Sequence, residues 1–170
     1  MNPAARIIAG FGIAAVLAFG AYLAMPQRPA SEARIVTLAG EELSVAGLRG
    51  KVAVVNFWAT WCGACIKEMP RLVQSHRRYS GRGLETVAIA VRDRPEQVAA
   101  FARERALPFR VALDTDGQVS RRFGNIRVTP TTYVFGRDGR LLKRYVGEPD
   151  WTEFDRLLER ALAAPGEIGL

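Results

Sequence analysis

Asn56-Phe57-Trp58-Ala59-Thr60-Trp61-Cys62-Gly63-Ala64-Cys65 is where the chain passes from a Val-rich apolar run into a segment with helical periodicity. The run, Lys51–Trp58 (KVAVVNFW), follows a turn-like Arg49-Gly50 and has the composition of a buried strand. Beyond Cys65, the residues Met69, Leu72, Val73 and His76 recur at the spacing of one helix face. The cysteines therefore stand at a strand-to-helix junction. A cysteine at a helix N-terminus meets unpaired backbone N–H groups and the positive end of the macrodipole, and both favour the thiolate. The two-residue spacer returns the second sulfur one turn later, close enough to form a disulfide with the first. Cys62, nearest the tip, is the expected nucleophile, and Cys65, shielded in the first turn, is the expected resolving thiol.

Working outward, strand and helix signals alternate. Arg34–Leu38, Leu84–Val91 and Phe109–Leu113 read as strands, the last ended by Asp114-Thr115-Asp116-Gly117. Asp93-Arg94-Pro95-Glu96 opens a helix, with Asp93 as its cap, Pro95 in the first turn and Glu96 at capping-box distance. Thr131–Phe135 and Leu141–Val146 flank Arg137-Asp138-Gly139 as a hairpin. Asp150 and Glu153 begin a final helix, Asp150–Ala163, whose stripe is Phe154, Leu157, Leu158, Ala161 and Leu162. The fold class expected is α/β, a mixed sheet covered by helices. No internal repeat is visible.

Before this domain lies a short tail, residues 1–6, and then the uncharged run Ile7–Met25. At about 1.5 Å per residue this run spans roughly 28 Å, close to a bilayer's hydrocarbon core. A cleaved signal peptide has a shorter apolar stretch, about 7–15 residues, and an A-x-A site that does not follow here. A single transmembrane anchor at 7–25 is the expectation, followed by a linker with two prolines, 26–33. The domain then occupies 34–164, and 165–170 form a C-terminal tail.

The chain carries 24 Lys and Arg against 17 Asp and Glu, a formal charge of +7. The basic residues are scattered among acids, with no dense cluster interleaved with aromatics, so nucleic acid is not an expected partner. Cys62 and Cys65 are the only cysteines, and the loop they close is too short to staple a fold. Structural zinc needs four ligands and no second Cys or His pair exists. Covalent haem attachment needs His directly after the second cysteine, where Ile66 stands. A Cu(I) site could use two thiolates, but the only histidine, His76, falls within an apolar helix face. Redox chemistry without metal or added cofactor, carried by a Cys62–Cys65 disulfide, is the expectation, and copper delivery is its rival.

The motif NFWATWCGAC, followed by Glu68-Met69-Pro70 and later by Val128-Thr129-Pro130-Thr131-Thr132-Tyr133, resembles the TlpA/ResA branch of the thioredoxin superfamily. That branch includes the thiol reductases of cytochrome c maturation, the CcmG/DsbE type. The resemblance covers roughly Ala33 to Ala163 and implies a thioredoxin-like fold, with Pro95–Asp114 as the branch's extra helix and strand. It implies that Pro130 is a cis-proline beside the cysteines, that the backbone of Thr129 pairs with an extended substrate strand, and that Trp61 offers a partner surface. Pro70 matches the family's kink in the active-site helix. Thioredoxins carry a buried, proton-relaying Asp where this chain has Asn56, which cannot titrate. Glu68, three residues beyond Cys65 on nearly the same helix face, is a candidate base for that thiol.

The implied activity is thiol–disulfide exchange on protein substrates outside the cytoplasm, as a reductase, for example of apocytochrome c. A disulfide donor is the alternative within the same chemistry. A membrane-embedded thiol donor of the DsbD/CcdA kind is the implied electron source, and the implied location is the bacterial inner membrane, single-pass, with the domain in the periplasm.

Overall fold

The computed structural model describes residues 30–164. The apolar run Ile7–Met25, the start of the linker and the C-terminal tail lie outside the described residues. Among the described residues no helix is long and apolar enough to cross a membrane.

The strand read from KVAVVNFW is Val52–Trp58 (β3), and every residue in it is buried. It lies at the centre of a five-stranded sheet. On one side it pairs in parallel with Leu84–Val91 (β4), which pairs in parallel with Arg110–Asp114 (β5). On the other side it runs antiparallel to Thr131–Phe135 (β6), which forms a hairpin with Leu141–Val146 (β7). A small hairpin, Ile35–Val36 (β1) with Glu42–Leu43 (β2), precedes the sheet and bridges to β5 through Thr37 and Ala112.

Burial of β3 on both faces explains why its sequence is nearly all apolar. Side chains alternate between faces, so Val52, Val54 and Trp58 join one core and Ala53, Val55 and Phe57 another. The first core is closed by the helix after the cysteines, Gly63–Tyr79 (α1), and by the last helix, Trp151–Ala163 (α4). The second contains Ile35, Val45, Phe123 and Tyr133, where Phe57, Phe123 and Tyr133 pack edge to face. By parity Asn56 belongs to the face that α1 covers.

On α1, Met69 and Leu72 are buried, and Val73 and His76 lie half-buried at the margin of that face. The helix continues through Pro70, which leaves the Ile66 carbonyl without its usual donor. His76 Nδ1 lies 3.2 Å from Thr86 Oγ1, and its ring meets Phe109 edge-on at 5.5 Å. Burial holds the imidazole below its usual pKa.

The expected helix at Pro95 is Pro95–Glu104 (α2), but its cap is not Asp93. Arg94 stands at the N-cap without a side-chain bond, because the Asp93 carboxylate is turned toward Thr60. A short helix absent from the sequence reading, Gln118–Arg122 (α3), follows β5. Buried Asp114 holds it by accepting from the Val119 and Ser120 N–H groups at 3.0 and 2.8 Å. At α4 the capping box is half formed. Asp150 accepts from the Glu153 N–H at 2.9 Å, while the Glu153 carboxylate faces Lys143 and Tyr145.

Candidate active site

Cys62 caps α1, at the carboxyl end of the central strand, and is joined to Cys65 as a disulfide with Cα atoms 5.2 Å apart. The Cys65 N–H donates to Cys62 Sγ at 3.3 Å. The helix therefore directs a backbone donor at the outer sulfur, the arrangement that stabilises a thiolate once the bond is reduced. Cys62 is 9% exposed and Cys65 0%. Only the outer sulfur can meet a macromolecular disulfide.

Cys62 Sγ lies 3.6 Å from the Thr129 carbonyl oxygen. The Thr129–Pro130 peptide bond is cis. Pro130 is buried and Thr129 half-buried, at the start of β6. The adjoining carbonyls are engaged, Val128 accepting from Thr131 Oγ1 at 2.7 Å and Pro130 from the Gly147 N–H at 2.8 Å. Trp61, directly before Cys62, is 59% exposed, whereas Trp58 is fully buried against Phe101.

One turn beyond Cys65, Glu68 is fully buried on α1. Asn56, at the parity position noted above, donates from Nδ2 both to Glu68 Oε1 and to Thr132 Oγ1, each at 2.9 Å. Glu68 Oε2 and Asn56 Oδ1 have no partner among the described residues. Burial pushes the Glu68 carboxyl up to about 7; the Asn56 hydrogen bond opposes this and the charge of Glu148 adds to it. An acid that titrates near neutrality can both accept and release a proton under ordinary conditions. Among the described residues no group of three or more His, Cys, Asp or Glu is placed to hold a metal ion.

The family model for the AhpC/TSA family matches residues 26–144. The thiol-disulfide oxidoreductase ResA of Geobacillus kaustophilus is 30% identical over 125 residues, 74% of this chain and 71% of that protein. The chain belongs to the AhpC/TSA family. Among solved structures, a putative thioredoxin from Neisseria meningitidis is 35% identical with a TM-score of 0.71, over 76% of this chain and 86% of that one. A putative thiol:disulfide interchange protein DsbE from Chlorobium tepidum is 26% identical with a TM-score of 0.73, over 81% and 97%. Within the AhpC/TSA family this chain is a thioredoxin-like thiol–disulfide oxidoreductase with a C-x-x-C pair, related to ResA and DsbE.

The structure of this AhpC/TSA member brings Trp61, Cys62, Thr129 and Pro130 together and sets Cys65 and Glu68 behind them. It also shows two features that the sequence reading missed. Asp93 accepts from the Thr60 N–H at 2.5 Å and from Thr60 Oγ1 at 3.0 Å, tying the end of β4 to the loop before the cysteines. Arg92, in the left-handed region at φ 51°, accepts from Trp61 Nε1 at 3.2 Å and donates to the Arg127 carbonyl at 3.3 Å. A hint of the first was present, since Asp93 follows a buried strand as Thr60 does. Local spacing favoured the helix cap instead.

Proposed function

We propose that this oxidoreductase works as a protein-disulfide reductase outside the cytoplasm, with apocytochrome c as its substrate. The observation that carries the reading is the setting of Cys62: at the tip of α1, 3.6 Å from the Thr129 carbonyl, with the buried Glu68 behind Cys65. In the reduced protein the Cys62 thiolate attacks one sulfur of the substrate disulfide. An S–S bond forms between the proteins and the other substrate sulfur leaves as a thiolate. Glu68 takes the proton from Cys65, whose sulfur then displaces the substrate. The substrate gains two electrons and ends as a dithiol, and the protein ends as the Cys62–Cys65 disulfide.

Thr129 and Pro130 orient the substrate strand in this reading, as an added β-strand against the Thr129 backbone, and Trp61 covers the exchanging sulfurs. No metal or added cofactor enters. The resemblance to ResA and DsbE supports an extracytoplasmic location and a membrane-embedded thiol donor of the DsbD/CcdA kind that re-reduces the pair. An anchor at 7–25, joined by the linker 26–33 to the domain 34–164, would raise the domain's local concentration near such a donor. In this reading the protein sits in the bacterial inner membrane, single-pass, with its domain in the periplasm.

Trapping tests the substrate. With Cys65→Ala in the full chain, the mixed disulfide at Cys62 cannot resolve, and apocytochrome c should be recovered covalently attached. Recovery of other proteins alone would refute the substrate. A reduction potential near thioredoxin's roughly −270 mV fits a reductase, whereas one near about −120 mV would make the protein a disulfide donor.

A further inference from the structure

We propose that the rim around Cys62 is a docking face for an extended partner segment with acidic side chains beside its own disulfide. This rests on the reading of protein disulfides as substrates and names their class. Among the described residues Trp61 is the most exposed of the large apolar side chains, at 59%, and Val128 is 53% exposed. Both adjoin the reacting sulfur: Trp61 precedes Cys62, and Val128 precedes the Thr129 whose carbonyl faces Cys62 Sγ. An exposed aromatic beside an exposed aliphatic, at the mouth of a site, is the composition of a partner surface more than of a solvated one.

Unpaired cations outnumber unpaired acids around this face. The Arg92 guanidinium lies 6.0 Å from the Trp61 ring centroid and bonds the Arg127 carbonyl, so it spans from the cysteine tip to the proline loop. Arg94 and Arg127 are exposed, and among the described residues Arg92, Arg94 and Arg127 form no ion pair. The neighbouring acids do not cancel them. Asp93 is taken up by Thr60 and by the Arg94 N–H at 2.8 Å, and Glu148, next to the Gly147 that bonds Pro130, is paired with Lys67 at 3.5 Å, which leaves exposed Glu96 against three guanidinium groups. A segment laid along Thr129 passes between Trp61 and Val128, with its side chains toward Arg92 and Arg127. Guanidinium recognises a carboxylate there by paired hydrogen bonds as well as charge. An anionic lipid surface would answer the charge but not the backbone edge at Thr129.

The test uses the reduced full chain in nonionic detergent and three disulfide-linked peptide dimers. Asp, Asn or Lys flanks the cysteine in each, and every rate is divided by that of the same peptide with dithiothreitol. At low salt the Asp peptide should react roughly tenfold faster than the Asn peptide and the Lys peptide slowest, with the spread collapsing in high salt. In Arg92→Gln/Arg127→Gln the ratio of Asp to Asn rates should approach one. The salt series on the unaltered chain decides the matter even if that variant does not fold. Equal corrected rates for the three peptides would overturn the inference. Equal rates with inhibition of all three by phosphatidylglycerol vesicles would assign the face to lipid instead. Failure to reduce any peptide would strike at the proposed function itself.

Discussion

Two carboxylates belong to the segments around the cysteine pair, one tied to the loop before it and one on the helix one turn beyond it, and their surroundings differ. Asp93, half-buried in the loop after β4, is saturated by donors: the Thr60 N–H, the Thr60 hydroxyl and the Arg94 N–H. Glu68, fully buried one turn beyond Cys65, has one amide donor from Asn56 and an oxygen with no partner among the described residues. A carboxylate so well supplied with donors serves as a tie. A carboxyl that burial has pushed up to about 7 is poised to move a proton. On the proposed mechanism, residues of the same chemical kind near one cysteine pair serve geometry and proton transfer respectively.

The largest effect expected belongs to the Cys62 sulfur. Cys62→Ser should lower insulin-disulfide reduction by more than about a thousandfold, since no other nucleophile reaches the surface there. Comparable turnover would show that Cys62 is not the attacking sulfur.

Stability against pH separates the two acids next. The Glu68 carboxyl is raised in the folded state, so the fold binds its proton more tightly than the unfolded chain does. The stability from this group is therefore fully present below its ordinary value of 4.5 and is lost as pH rises through about 7. The loss should be about 3 kcal/mol across that window. Denaturant titrations of oxidised protein at several pH values should show this slope, and Glu68→Gln should flatten it. A parallel slope in both proteins would show that Glu68 is not the group titrating.

A smaller change is expected at the tie. Asp93→Ala removes the partner of the Thr60 amide and hydroxyl and should cost about 1–2 kcal/mol. It should leave the pH slope of stability in place. A loss of that slope in Asp93→Ala would exchange the roles given to the two carboxylates.

How far these features could be read in the sequence follows from how local they are. The apolar run of β3, the cap at Cys62 and the Asp150 cap of α4 depend on neighbouring residues, and all stand where the pattern put them. Glu68 and Asn56 could each be singled out, but their 2.9 Å bond depends on strand parity and helix phase together, and Thr132 joins from a third element. Asp93 misled because its spacing to Glu96 satisfies a capping box, while its actual partner lies 33 residues away. Helix α3 was hidden for a similar reason. It is too short for periodicity to reveal, and it is held by Asp114, which reads locally as the end of a strand.

The proton role of Glu68 is tested most directly by the pH dependence of the second exchange step. Reduced protein mixed with dithionitrobenzoate in a stopped-flow instrument releases one thionitrobenzoate when Cys62 attacks and a second when Cys65 resolves the mixed disulfide. The second phase should rise with pH through an inflection near 7 in the unaltered protein. In Glu68→Gln it should lose that inflection and slow by roughly a hundredfold, with the first phase within about a factor of two. The same inflection and rate in both proteins would contradict the account and leave Glu68 as a buried helix residue without a part in the exchange.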